Sequence, residues 1–559
     1  MKYDLIRTNG NMKEQINGFG GLNCSDRTEN NEFSYMLNMS SDKYPYITPS
    51  RMQSEIFPKA GIRAVIAPQY SNKEYITAFT GVAGDKFYYN GTEKSQIIPD
   101  GNVTLVDFNG RIIICVYNQI TDENGNKQDV SNMFYYDYTA KGDSTVKPME
   151  QGYTDKISCS AYSSGDPKED VVVTNYLQSS AGWSDFNEGD SIFIEGFKNT
   201  ENNTVQLDSR YQDISPKRAI SCIVEKKDGN KLYIQMYNCN GNALVFTQET
   251  SNNVKVYKKI PTMNHICIHN NRLWGTNPNG EYIYASKQGD PFNFNTFQGL
   301  ANDSFYAEIG TAGGFVGIVS YRDNLVAFKR DYIHHIYGDK PSNFTIPKQL
   351  EGCGCIDIRS VAQVDSTLYF LGYNGFYAYA GGQPVLISQK LNKKYSKAVA
   401  MTDGQKYIAA CLGELLVLDT RYGVWHREKP INAIGAFRWH DKLYIASENM
   451  LYEYGAEPPQ IWNAESVIIH DDTFDNKGMT ELWIRAKIDE GSEIKVLTSE
   501  DGGEFLTRTV LKPQGLKVYR IPIRFINGEF YQYRLEGKGD AVIYSIERVI
   551  SSGGRQYRR

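Results

Sequence analysis

The sequence predicts an all-β protein built around a seven-bladed β-propeller, and three observations carry that prediction. The chain holds 40 Tyr and 25 Phe at an ordinary hydrophobic content of 41%, and these aromatic side chains favour the pleated, half-buried surface of strands. The 49 Gly supply turns between strands. A three-strand unit of alternating residues and tight polar turns then recurs along the chain.

The first unit reads "IRAVIAPQ", "EYITAFTG", "KFYYNG" between Ile62 and Gly91, and the second "VTLVDFNG", "RIIICVYN", "MFYYDYT". Three more follow: "NHICIHN", "RLWGTNP", "EYIYASKQ"; then "FVGIVSYR", "NLVAFKR", "YIHHIYGD"; then "SVAQVDS", "TLYFLGYN", "GFYAYAGG". The last two open on "AVAMTDG" and "AIGAFRWH". Turns at Asn109-Gly110, Asn374-Gly375 and Arg322-Asp323-Asn324 join the strands. Units mostly roughly 35 to 50 residues apart match propeller blades, small twisted sheets that bury both faces only when closed into a ring. The run "PVLIS" at Pro384 to Ser388 supplies an outer fourth strand. A set of separate β-sandwiches is the rival reading, because sandwiches also space short strands closely.

One interval breaks the period. Between "MFYYDYT" and "NHICIHN", the runs "DFNEGDSIFIEGF", "KLYIQMYN" and "NNVKVYKKIP" predict a small barrel inserted in a blade loop. After Gly455 the linker "AEPPQIW" precedes strictly alternating strands such as "TELWIRAKI" and "FYQYRLEGKG", which predict an antiparallel sandwich. The expected division is therefore an extended arm over 1–60, blades over 61–154 and 260–455, the inserted barrel over 155–259 and the C-terminal β-sandwich over 456–559.

Charge and cysteines narrow the function classes. With 60 Lys and Arg against 65 Asp and Glu the net charge is -5, which is no general trap for nucleic acid; the closing "GGRQYRR" is a local basic candidate or a frayed end. The opening "MKYDLIRTNGNMK" turns polar too early for a secretory leader, and no apolar window is long enough to span a membrane, so a soluble, cytoplasm-assembled protein is expected. Nine scattered cysteines fit reduced thiols.

Candidate chemistry is sparse, and no catalytic, cofactor or metal residue is assigned. His265 and His269 have a metal-ligand spacing for a helix, but on a strand they stand about 13 Å apart. His334 and His335 point to opposite faces, one expected buried and one exposed. Cys353 and Cys355 in "GCGC" lack a second pair of ligands, so a turn with buried thiols is expected. "TDENGNKQD" from Thr121 to Asp129 lacks the acidic twelfth ligand of calcium loops and reads as a hairpin tip. Phosphate-loop and nucleophile-elbow motifs are missing, whereas a glycosidase carboxylate pair depends on spatial separation and cannot be read from spacing. "SEDGGEF" at Ser499 to Phe505 partly resembles the Asp-box turn of sialidases, without its Thr-Trp ending.

Three stretches carry a wider resemblance. "INGFGGLNCSDRTENNEFSYMLNMSSDKYPYITPSR", "NNRLWGTNPNGEYIYASKQGDPFNF" with Arg272, Trp274 and the Gly289-Asp290-Pro291 turn, and "DNLVAFKRDYIHHIYGD" continuing through Ser388, resemble bacteriophage virion proteins of the tail-nozzle and head-to-tail stabilisation type. The likeness covers residues 16 to 455 and reaches the sandwich more loosely; the inserted barrel and sandwich are the parts that vary among such proteins. It implies a non-enzymatic structural protein of a phage tail, assembled in the bacterial cytoplasm. Its partners would be copies of itself in a ring, expected to be a hexamer, neighbouring tail or portal proteins, and DNA in passage. The polar N-terminal ribbon, with backbone groups needing partners, would wrap the propeller rim or a neighbouring subunit. The alternative is a receptor- or carbohydrate-binding tail component using exposed aromatics on the sandwich or barrel, with Trp462, Trp483, Tyr531 and Tyr533 as the cluster to inspect. A propeller glycosidase, with two carboxylates near the axis, is third.

Overall fold

The computed structural model describes residues 6–8, 11–69, 78–94, 96–121, 125–140, 144–164, 172–205, 216–347, 350–470 and 477–552. Among them the only helical segments are four 3-10 turns, and the architecture is all-β: a seven-bladed propeller, an inserted barrel and a sandwich.

Each blade is a four-stranded antiparallel sheet. The inner strands run in ring order as Ile62–Val65, Asn102–Phe108, His265–His269, Phe315–Tyr321, Ala362–Val364, Ala398–Thr402 and Ala433–Trp439. The last lies against the first and closes the circle. Blade 7 takes its outer strand from far earlier in the chain: Met52–Pro58 pairs with Met450–Glu457, placing Phe57 opposite Leu451. Backbone pairing between the two ends of the propeller thus holds the ring shut.

Blade strands are buried on both faces because a neighbouring blade covers each side. Lys406–Cys411 is buried throughout, and Glu414–Asp419 at all but its first residue. Hairpin turns follow from residues that accept positive φ: Asn109 at 50° and Gly110 at 86° join strands whose ends pair Phe108 with Arg111. In blade 5 the turn falls on Tyr373 and Asn374, one residue earlier than expected, since Gly372 pairs with Gly375. Val385–Leu386 is indeed the outer strand there. The segment expected to hold the second strand of blade 1 lies partly outside the described residues, as do the tip of "TDENGNKQD" and the terminal "GGRQYRR".

The insertion closes into a barrel because Val172–Ser179 pairs with both Gln151–Ser164 and Lys231–Tyr237, returning the sheet on itself. Its core is a separate cluster around Phe186, Ile192, Ile194 and Val256.

The N-terminal arm lies along the propeller at blade 6, as one of the two expectations had it, but it also pairs where none was expected. Asn11–Ile16 pairs with Ala541–Ser552, and Glu32–Leu37 pairs with Ile461–Ser466, so this ribbon supplies strands to both sheets of the C-terminal sandwich. Its backbone groups find partners within the same chain, and the reason for expecting a neighbouring subunit to receive it no longer applies. Asn38 donates its amide to Arg427 of blade 6 at 2.8 Å. A continuous core from Phe33 and Met36 through Trp425 to Trp462 and Tyr533 fuses sandwich and propeller.

Candidate functional site

Blade 3 has two different faces, and the alternation of its outer strands sets them. In Tyr282–Ala285, Ile283 and Ala285 point to blade 4 and pack with Trp274 and Ile318. Tyr282 and Tyr284 point the other way, toward blade 2 and the barrel. The next strand places Tyr306 opposite Tyr284, extending the same aromatic face to the rim.

Above this face lies a cleft of about 450 Å³, walled by blade 3, the Asp129 end of a blade 2 hairpin and the barrel. Phe193 reaches it because its neighbours Ile192 and Ile194 turn into the barrel core. Tyr282 and Tyr284 stack at 5.9 Å and 25°. Tyr306 stands 6.4 Å from Tyr282 and meets Phe297 edge to face at 5.7 Å. Tyr306 and Phe297 are 56% and 50% exposed, an uncovered aromatic pair at the mouth. Hydrogen-bonding side chains stand among the rings: Asp129, Lys259, Asn277, Asn279 and Glu281. Burial, with Glu308 and Glu281 nearby, pushes the Tyr282 phenol upward, so it stays a neutral donor at ordinary pH.

Two devices fix the cleft walls. The Phe297 loop is tied down by Asp303, which accepts the Gln298 and Leu300 amides at 2.5 and 2.9 Å. The buried Arg272 guanidinium donates to the carbonyls of Ser286 at 2.9 Å, Ala301 at 2.7 Å and Asp303. The barrel is joined to the same loop by an antiparallel bridge between Asp190 and Thr296 and by the Ser191 amide donating to Asn295. Gly189 sits so close that a Cβ there would strike the Gln298 side chain, and its φ of +83° also favours glycine.

The residues singled out in the sequence lie elsewhere. His265 and His269 are blade joints: the Ile318 amide donates to His265 Nδ1 at 3.5 Å, and His269 Nδ1 lies 2.9 Å from Ser320 Oγ. Among the described residues no group of three or more His, Cys, Asp or Glu could hold a metal. His334 is buried beside Thr311, and His335 is half-buried 2.6 Å from Tyr379 of blade 5. The expected exposed partner of this pair is therefore absent, since blades cover both faces of the strand. Cys355 is buried, its thiol pushed up to about 12 by burial, while Cys353 is half-buried. The intervening Gly354 is obligatory, because a Cβ would stand 2.1 Å from the Lys329 carbonyl. In the Asp-box-like turn, Ser499 Oγ donates to the Gly503 carbonyl and Asp501 accepts the Glu529 and Phe530 amides, the bonding of a folding turn.

The aromatic cluster proposed for the sandwich does not form an exposed surface. Trp462, Tyr531 and Tyr533 are buried in the core. Trp483 has Lys13 Nζ 3.7 Å from its ring centroid and the Arg520 guanidinium at 4.2 Å, with its N–H donated to Glu481. The sequence gives little sign of the cleft aromatics, because "EYIYASKQ" reads as an ordinary blade strand. Its Tyr-x-Tyr spacing was the one local signal.

Comparison with known proteins gives no family: no family model matches the chain, and no curated protein does. Similar solved structures include the extracellular domain of a protein named as a one component system of B. thetaiotaomicron, at TM-score 0.26 and 10% identity over 94% of this chain and 79% of that one. An exo-beta-1,3-galactanase of Phanerochaete chrysosporium gives 0.18 and 9% over 80% of each chain. A mutant Trypanosoma rangeli sialidase displaying trans-sialidase activity gives 0.22 and 9%, over 89% of this chain and 95% of that one. These names correct two expectations. The galactanase and the sialidase are named as enzymes and no virion protein is named with them, so the phage-tail structural reading and the expectation of a non-enzyme find no support here and are not carried further. At such TM-scores the likeness carries no argument about activity, and the reading below rests on the cleft alone.

Proposed function

We propose that this chain binds carbohydrate in the cleft between blade 3 and the inserted barrel. One observation carries the reading: Tyr282, Tyr284 and Tyr306, continued by Phe297, form an aromatic wall, and carboxylate and amide side chains stand beside it. A sugar ring has an apolar C–H face and a polar hydroxyl rim. The first is served by aromatic surface, which buries much area at low side-chain entropy. The second needs acceptors and donors in fixed positions, which Asp129, Glu281, Asn277 and Asn279 supply. A volume of about 450 Å³ accommodates two or so sugar units.

A glycan array followed by calorimetric titration with the best oligosaccharide tests the reading. Binding that Tyr306→Ala weakens without lowering the melting temperature supports it. Binding to no saccharide, or equal binding by the variant, removes it.

A further inference from the structure

We infer that the saccharide taken by this cleft is uncharged, and that Asp129 and Glu281 are the residues that turn acidic sugars away. This rests on the carbohydrate reading above and specifies its ligand class. The charged side chains lining the cleft are Asp129, Glu281 and Lys259, a formal balance of -1, and no arginine is among the described lining residues. Recognition of a sugar carboxylate or sulfate favours the planar fork of a guanidinium or several converging cations. Here a single ammonium faces two carboxylates.

The fold holds the Asp129 carboxylate in place and sets Glu281 just before the strand that carries the aromatic wall. Asp129 Oδ1 accepts from Tyr117 Oη at 2.8 Å and from Gln119 Nε2 at 3.1 Å, so a ligand anion there would meet a carboxylate held in place. Glu281 adjoins Tyr282, opposite which lies Glu308 on the neighbouring strand, so the aromatic wall itself is rimmed with negative charge. Like charges brought together in a cleft that excludes part of the water repel more strongly than on an open surface. The same carboxylates suit neutral polyols, because an ionised acceptor makes its strongest hydrogen bonds to hydroxyl donors. Asn277 and Asn279 can each donate and accept, which matches hydroxyl groups again. Attraction for neutral sugars and rejection of acidic ones thus come from one pair of residues, the combination that specificity requires.

The test uses matched saccharides that differ in charge: lactose against sialyllactose, and gluco-oligosaccharides against glucurono-oligosaccharides, titrated into the full chain at low and high salt. The neutral member of each pair is expected to bind at least about tenfold tighter, with the gap narrowing as salt screens the repulsion. The double variant Asp129→Asn with Glu281→Gln should bring the two members of a pair within about threefold. Tighter binding of the acidic member, or a gap that neither salt nor the double variant changes, overturns the inference while leaving the carbohydrate reading in place. Binding of neither member of any pair overturns both.

Discussion

Asp190 of the inserted barrel accepts a 2.9 Å hydrogen bond from Asn293 Nδ2 of the blade 3 connection, and both residues are fully buried. The same oxygen accepts from Thr296 Oγ1 at 3.1 Å, while Lys258 Nζ lies 3.6 Å from the other. The barrel is therefore fastened to the propeller by a buried polar joint as well as by its two chain connections. That joint holds the two walls of the cleft at one separation.

Removing one side of a buried ion pair leaves the other charge uncompensated, at a cost of about 3–5 kcal/mol. Asp190→Ala is expected to destabilise the chain by that order, read as a lowered urea midpoint. Oligosaccharide affinity should fall with it, since the Phe193 wall loses its anchor.

Tyr306 is more than half exposed, so its loss costs the fold little. Tyr306→Ala should lower saccharide affinity about tenfold or more while the melting temperature stays within a degree or two. Tyr306→Phe separates ring from hydroxyl: affinity close to the parent assigns the contact to stacking.

Arg272 serves four carbonyls from one guanidinium, those of Ser286, Ala301, Asn302 and Asp303, a geometry a lysine cannot copy. Arg272→Lys is expected to cost about 2–4 kcal/mol, because carbonyls and a buried cation lose partners together. Hydrogen exchange should report the change first at residues 297–303.

Acid should loosen blades 3 and 4 ahead of the sandwich. Burial holds His265 near pKa 4, and burial with the nearby Lys329 holds His334 there too, against an ordinary value of 6.5. The unfolded chain then takes up protons that the native chain refuses. Stability is full above about pH 6.5 and declines as pH falls toward 4, with a slope set by the proton difference. Urea midpoints measured across that window should drop, and His334→Gln should lessen the drop by about one proton's worth.

The two sandwich tryptophans occupy different surroundings, and their truncation should read out differently. Trp462 is packed so tightly on Gly537 that a Cβ there would stand 1.8 Å from the indole. Trp462→Ala is expected to cost about 3–5 kcal/mol. Trp483→Ala should leave saccharide binding unchanged, because the ring is already covered by Lys13 and Arg520. A loss of binding there would move the site to the sandwich.

The fold was largely legible because its signals are local. The turn at Asn109-Gly110 and the seven short meanders specify hairpins within a few residues of each other, and a hairpin of this kind buries its faces only in a ring or a stack. The role of the first 60 residues was not legible. Glu32–Leu37 and its partner Ile461–Ser466 are more than four hundred positions apart, and a strand's own composition does not name its partner. The same holds for Met52–Pro58, whose pairing with Met450–Glu457 closes the propeller.

Sequence alone determined most of the blade strands after residue 60, their grouping into blades, the insertion and the sandwich, since period-two alternation and turn residues act over short distances. Only the tertiary structure decided which aromatics are open to a ligand. Trp462 and Tyr306 both sit in strands, yet one is entombed between sheets and the other stands at a cleft mouth. Burial depends on what the rest of the chain lays over a residue. Here that cover is set by the barrel and blade 3, brought together by the joint at Asp190.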